Sequence, residues 1–215
     1  MSPIIDDSTN APVKDTLVLL TLNVIYDMIS IYMVKYQKCV FFKIYKLLLR
    51  KDFMDNLIIL GAGQYGALVY EIAQSCGLYE KIDFLDDSCE NAIGKIADYK
   101  KIIGKYNCAA VAIGNNDIRL DFLNMLKEAG FKLPAIISPR AWVSPSAKIS
   151  EGVIIEPNAT VSTAAEIGFG CLVSSGAVVN HNAVLCDGSH VNCNSTVTAR
   201  AEVPFKKKLS CGEVF

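Results

Sequence analysis

The chain has 215 residues, 52% of them hydrophobic, with 21 basic and 22 acidic side chains and a formal charge of −1. That is enough apolar material to close a core, and the charge is too balanced for nucleic acid to be the main partner, so disorder and a polyanion-binding role are set aside in favour of a small ligand. Eight cysteines without a close metal-type pair indicate a reducing cytosol and no disulfide framework.

The first 53 residues form a separate problem. The run "TLVLLTLNVIYDMISIYMV" (16–34) is nearly long enough to cross a bilayer, and the basic stretch that follows, through residue 51, suits a cytoplasmic flank. Asn23 and Asp27 interrupt it, and an Asp at mid-membrane costs about 2.5–3.5 kcal/mol on insertion scales. Three readings stay open: an upstream extension before a domain that opens at Met54, a membrane or interfacial anchor, and a packed helical element. No small-residue cleavage site follows, so a secretory signal is not expected. The expected location is cytoplasmic, with membrane association through residues 16–51 as the variant.

From Met54 the pattern turns α/β. "NLIIL" reads as a buried strand, "GAGQYG" as a glycine turn, and "YGALVYEIAQSCG" as a helix ending at Gly77. "KIDFLDD" (81–87) and "AAVAIG" (109–114) read as further strands, the second followed by an N-capped helix and a last strand "PAIIS". Strands alternating with helices predict a small Rossmann-like parallel sheet over 54–137, with ligands at the strand C-terminal ends. Gly61, Gly63 and Gly66 fit GxGxxG in that context, and Asp86 and Asp87 lie about 20 residues on. Gly61 permits the tight turn, Gly63 lets a phosphate approach the backbone, and the helix N-terminus favours its charge. This detects a pyrophosphate beside a ribose; a nucleotide sugar, NAD and a purely structural turn all remain open at this point.

Over 138–204 an aliphatic residue recurs every six positions, from Val143 through Ile149, Ile155, Val161, Ile167, Val173, Val179, Leu185, Val191 and Val197 to Val203. Two residues before each lies a small or modest side chain. Three residues after, Gly152, Gly170, Gly176 and Gly188 alternate with Asn158, Asn182 and Asn194, residues that tolerate left-handed corners. Each hexad is then one flat strand and one corner, and three hexads close a triangular coil. At about 4.8 Å per coil the prism is only about 18 Å tall. Outward-facing Trp142, Ile154, Leu172, Val178 and Val184 imply a covered surface, and a homo-oligomer is the simplest cover. Residues 205–215, with "FKKK", read as a C-terminal tail.

The two histidines of the chain, His181 and His190, both fall in this repeat. His181 lies two positions after an inward valine, at a corner; His190 immediately precedes an inward valine and points outward. Neither belongs in the core, and a solvated corner histidine is the plain reading. Catalytic zinc usually takes three protein ligands, so two histidines give no metal site. The thiols of Cys171, Cys186 and Cys193 read as small wall or corner residues.

Residues 141–204 resemble the left-handed β-helix, or hexapeptide-repeat, acyltransferases. With "LIILGAGQYG", "FLDD" and "VAIGNNDIR" added, the chain is similar over 55–215 to bacterial sugar acyltransferases of the UDP-4-amino-sugar N-acetyltransferase and sialic acid O-acetyltransferase type. The resemblance implies a homotrimer that uses acetyl-CoA as co-substrate and no metal, and acetylates a nucleotide-linked amino sugar in glycan biosynthesis. It implies that His181 is the general base of direct attack on the thioester, oriented by Asn182, and that His190 contacts the acetyl or pantetheine region. An acidic residue often follows the base in that family; Asn182 stands there instead and cannot stabilise an imidazolium by charge. Gly176 and Gly188 are candidates for the backbone N–H at the oxyanion. The resemblance implies that Asp86 and Asp87 are the family's acidic pair at the nucleotide pocket and that Gly114, Asn115 and Arg119 match its "IGN..R" signature, with Gly114 and Asn115 among the substrate-binding residues. Rival readings are O-acetylation of a sialic acid or another sugar, a nucleotide-sugar-binding trimeric scaffold, and an NAD-dependent oxidoreductase domain on an oligomerising prism.

Overall fold

The structure, a computed structural model, describes residues 54–215; the anchor, extension and packed-element readings of 1–53 lie outside the described residues. Among the described residues no helix is long and apolar enough to cross a membrane.

The α/β half runs β1 (Asp55–Leu60), α1 (Gln64–Cys76), β2 (Tyr79–Leu85), a 3₁₀ segment (Ile96–Ile102), β3 (Cys108–Val111) and α2 (Asn116–Glu128). Its strands form a three-stranded parallel sheet in the order β2-β1-β3. Leu57, Ile58, Ile59 and Leu60 are all fully buried, the continuous apolar run that a central strand covered on both faces requires. α1 ends at Gly77 in the left-handed conformation, as its sequence predicts.

The expected last strand of this sheet is a correction. Ile136–Ile137 (β4) pairs with Ile154–Ile155 of the repeat and not with β3. The physical reason is register: Ile137 lies six residues before Val143, so it opens the inward column, and the prism begins inside the segment assigned to the α/β half.

The prism comprises β4 and eleven further two-residue strands, β5 (Trp142–Val143), β6 (Lys148–Ile149), β7 (Ile154–Ile155), β8 (Thr160–Val161), β9 (Glu166–Ile167), β10 (Leu172–Val173), β11 (Val178–Val179), β12 (Val184–Leu185), β13 (His190–Val191), β14 (Thr196–Val197) and β15 (Glu202–Val203). They stack in three parallel sheets, β13-β10-β7-β4, β14-β11-β8-β5 and β15-β12-β9-β6. The inward aliphatics from Ile155 to Val203 are at most 1% exposed, and Ala159, Ala165, Ala177 and Ala183 beside them are sealed completely. Leu209, also fully buried, and Phe215 continue the column. Lys208 and Val214 bridge to His190 and Thr196, so the segment read as a tail stacks onto the coil.

Corners at Asn158, Asn182, Asn194 and the expected glycines have positive φ, and so do Ala164, Arg200 and Lys206, which their side chains do not announce. The edge with Gly152, Gly170 and Gly188 has a second reason for glycine. A Cβ would stand 2.6 Å from Leu123 at Gly170 and 2.5 Å from Leu120 at Gly188, because α2 lies directly on that edge.

The outward residues Ile136, Ile154 and Leu172 bury themselves against Leu57, Ile59, Val69, Ile72 and Ala110. The inference that a second copy covers Ile154 and Leu172 is therefore corrected: the chain's own α/β half covers them. Trp142, on the next face, remains 63% exposed. Arg119 ties the halves together. It is fully buried; its Nε donates to Gly170 O at 2.8 Å and its Nη2 to Gly188 O and Asn116 Oδ1, both at 2.9 Å.

Candidate active site

At the C-terminal ends of the sheet the structure brings together the whole predicted nucleotide cluster, and its three glycines do different work. Gly61 has φ +99° and a Cβ there would meet Ala112 O at 2.9 Å, while one at Gly66 would meet Gly61 O at 2.2 Å; both are steric requirements of the turn. At Gly63 a Cβ would meet nothing within 4 Å. This residue is the N-cap of α1 and offers no side-chain cap, and the N-terminal end of a helix favours an anion. Asp86 braces this turn. Its Oδ2 accepts from Ala62 N at 2.8 Å, its Oδ1 from Ser88 N at 2.8 Å and Cys89 N at 2.9 Å, and these backbone donors hold its carboxyl below the usual range. Asp87 is exposed and accepts from Ile96 N at 3.1 Å. Gly114 is exposed, and Asn115 caps α2 by accepting from Asp117 N and Ile118 N. Asp86 thus braces the glycine turn and Asn115 caps α2, while Asp87 is an exposed carboxylate beside Asp86.

His181 sits at the prism edge between the sheet containing β11 (Val178–Val179) and the one containing β12 (Val184–Leu185). The α/β half packs on the third sheet, so this edge lies opposite it. The imidazole is exposed, and its Nδ1 lies 3.2 Å from Asn182 Oδ1. An amide oxygen only accepts, so Nδ1 carries the proton and Nε2 presents its lone pair outward. Asn182 holds φ 59° at this corner, which places its amide beside the ring it follows. Asp187 is at another edge and accepts from Phe169 N at 2.8 Å.

His190 does point out of the prism, yet the α/β half covers that face and the residue is only 7% exposed, so it is not a solvated corner histidine. Its Nε2 lies 2.9 Å from Ser174 Oγ, and its buried Nδ1 has no hydrogen-bond partner. Burial, then the charges of Lys208 and Arg119, push its pKa down to about 4, so the ring is neutral near pH 7. The two histidines are not brought together within one chain. Of the corner glycines, Gly188 N donates to Phe169 O at 2.8 Å and Gly176 N to Pro157 O at 3.4 Å, so both N–H groups are spent inside the coil. Gly188 also lies under Leu120.

Sequence reasoning misses a buried polar group at the junction. Glu156, 4% exposed, accepts from Ser174 Oγ at 3.2 Å and from Ser175 N and Oγ, each at 2.9 Å. Tyr65 Oη is buried nearby without a hydrogen-bond partner. Burial, with the Glu156 carboxylate second, raises the Tyr65 phenol above its ordinary value. The available signal is the eighteen-residue coil spacing that stacks Ser174 on Glu156. Among the basic "FKKK" residues, Lys206 pairs with Asp117 of α2 at 2.6 Å. Among the described residues no three His, Cys, Asp or Glu side chains cluster as a metal site, and every cysteine from Cys76 onward is free.

A small parallel sheet followed by a triangular prism of stacked hexads is the architecture of the sugar acetyltransferase structures that the chain resembles. The particulars come from its relatives. Residues 56–126 match the family described as the PglD N-terminal domain. The chain is similar to the acetyltransferase domain of PglB from Neisseria gonorrhoeae FA1090, with 29% identity over 74% of this chain and 82% of that one and a TM-score of 0.72. The same domain in complex with acetyl coenzyme A matches at 28% identity over 75% and 88%, TM-score 0.63. Perosamine N-acetyltransferase from Caulobacter crescentus, in complex with CoA and GDP-perosamine, shares the fold at 20% identity over 76% and 89%, TM-score 0.59.

Proposed function

We propose that this chain transfers the acetyl group of acetyl-CoA to the amine of a nucleotide-linked amino sugar, of the UDP-4-amino-sugar kind, as a homotrimer in the cytoplasm. The observation that carries the reading is the exposed His181, its Nδ1 tied to Asn182 and its Nε2 left free, in a chain alike over both halves to an acetyltransferase domain that binds acetyl coenzyme A. The nucleotide sits on the glycine turn, with a phosphate at the Gly63 N-cap and Asp87 at the rim. Because His181 lies on the edge away from its own α/β half, it serves the acceptor held by a neighbouring protomer.

Acetyl-CoA is already activated, so no covalent enzyme intermediate is required. The sugar amine attacks the thioester carbon, Nε2 of His181 takes the proton the amine loses, and collapse of the tetrahedral adduct expels the CoA thiolate, which receives a proton in turn. Asn182 orients the ring as a carboxylate would, without the charge that would stabilise the imidazolium. The test is incubation of purified protein with acetyl-CoA and a panel of UDP-4-amino sugars, free sialic acids and simple sugars, following thiol release. Turnover on a nucleotide amino sugar supports the reading; turnover only on free sugars moves it to O-acetylation, and none on any acceptor favours a scaffold.

A further inference from the structure

The polar group at the junction of the two halves is not needed to close the core, and its hydrogen bonds have a direction. Glu156 takes three donors, two of them on the oxygen that faces Ser175. Its other oxygen accepts from Ser174 Oγ. A serine hydroxyl has one proton, and a carboxylate only accepts. With that proton spent on Glu156, the 2.9 Å contact between Ser174 Oγ and His190 Nε2 is closed by a proton on Nε2. Nδ1 then carries a lone pair, and it is the ring atom left buried without a partner.

We propose that Glu156 and Ser174 are positioning residues that fix His190 in its Nε2–H form, making Nδ1 an obligate acceptor for an O–H or N–H group at the junction. Ser174 is for the same reason no activated nucleophile: its proton points to the carboxylate and not to the imidazole. The buried hydroxyl of Tyr65, close to the Glu156 carboxylate, belongs to α1 directly after the Gly63 turn. In its consequence for turnover, though not for the ring itself, this inference rests on the proposed function.

Glu156→Gln gives a sharp test. Ser175 N–H, which can only donate, keeps the amide oxygen on its side, so the amide NH₂ faces Ser174. Ser174 must then accept there and turn its own proton to His190 Nε2, and the ring proton moves to Nδ1. The chain has only two histidines, so ¹⁵N-histidine labelling yields two rings, with His181→Ala assigning them. The expected spectrum of the wild type shows His190 protonated at Nε2 alone; Glu156→Gln shows it protonated at Nδ1, and Ser174→Ala shows a mixture. A wild-type His190 protonated at Nδ1 overturns the proposal even if neither variant folds, and so does a Glu156→Gln ring unchanged from wild type. In turnover assays Glu156→Gln should raise one substrate's KM by about tenfold with kcat nearly kept, the scale expected when a buried acceptor is replaced by an opposing donor. An enzyme inactive on every acceptor defeats the functional reading and leaves the ring spectra to decide this one.

Discussion

Lowering pH should destabilise the protein through His190 before any carboxylate is involved. In the unfolded chain this ring titrates near 6.5, and in the folded protein burial and the nearby Lys208 and Arg119 charges hold it to about 4. Between those values the unfolded state binds a proton that the native state refuses, so stability is full above pH 6.5 and falls as pH drops toward 4. A gap of about 2.5 units at 1.36 kcal/mol each gives a loss of about 3 kcal/mol. Asp86 and Asp98, both held below their ordinary 3.8, add their losses only below about pH 4. Urea unfolding at fixed protein concentration, at several pH values from 7.5 to 4, measures the slope. His190→Asn should remove the loss in the 6.5–4 window whatever its stability at pH 7.5; an identical pH slope in wild type and variant would refute the reasoning.

Other expectations follow from single contacts. Gly63→Ala should raise KM for the nucleotide sugar with no change in urea midpoint, since the fold leaves that Cβ free, whereas Gly66→Ala should destabilise outright; equal midpoints for the two would contradict the division of roles. Arg119→Met should cost about 3–5 kcal/mol in urea unfolding, because it strands two buried corner carbonyls and the Asn116 amide; a loss under about 1 kcal/mol would mean the clamp is not structural. His181→Ala should lower kcat by at least about 100-fold while oligomer size by light scattering is unchanged, and undiminished turnover removes the proposed base. Asn182→Asp should restore the charge behind the imidazole and shift the acidic limb of the kcat/KM profile to higher pH; a shift in the other direction contradicts the Nδ1 contact.

The prism was legible because its signal is periodic: an aliphatic every six residues can be counted, and the count extends unchanged to Ile137, Leu209 and Phe215 once coordinates show where the column begins and ends. The glycine turn was legible because sterics leave few alternatives at Gly61 and Gly66. What sequence could not supply was the choice of partner for each outward face. Ile154 and Leu172 look the same in sequence whether a second copy or the chain's own helix α1 covers them, and the same ambiguity hid the burial of His190. Glu156 and Ser174 look like ordinary corner residues until stacking sets them one coil apart. Corners at Ala164, Arg200 and Lys206 escaped because the coil imposes left-handed backbone on side chains that do not favour it.

Mixing two inactive variants asks the central question directly. His181→Ala lacks the base and Gly63→Val blocks the nucleotide turn; co-expressed with different tags, they form mixed oligomers in which one protomer keeps an intact base and another an intact pocket. A base that reaches across to its neighbour predicts recovered acetyl transfer in the doubly tagged fraction, well above either variant alone. Doubly tagged oligomers that stay as inactive as their parents would show that base and pocket must belong to one chain.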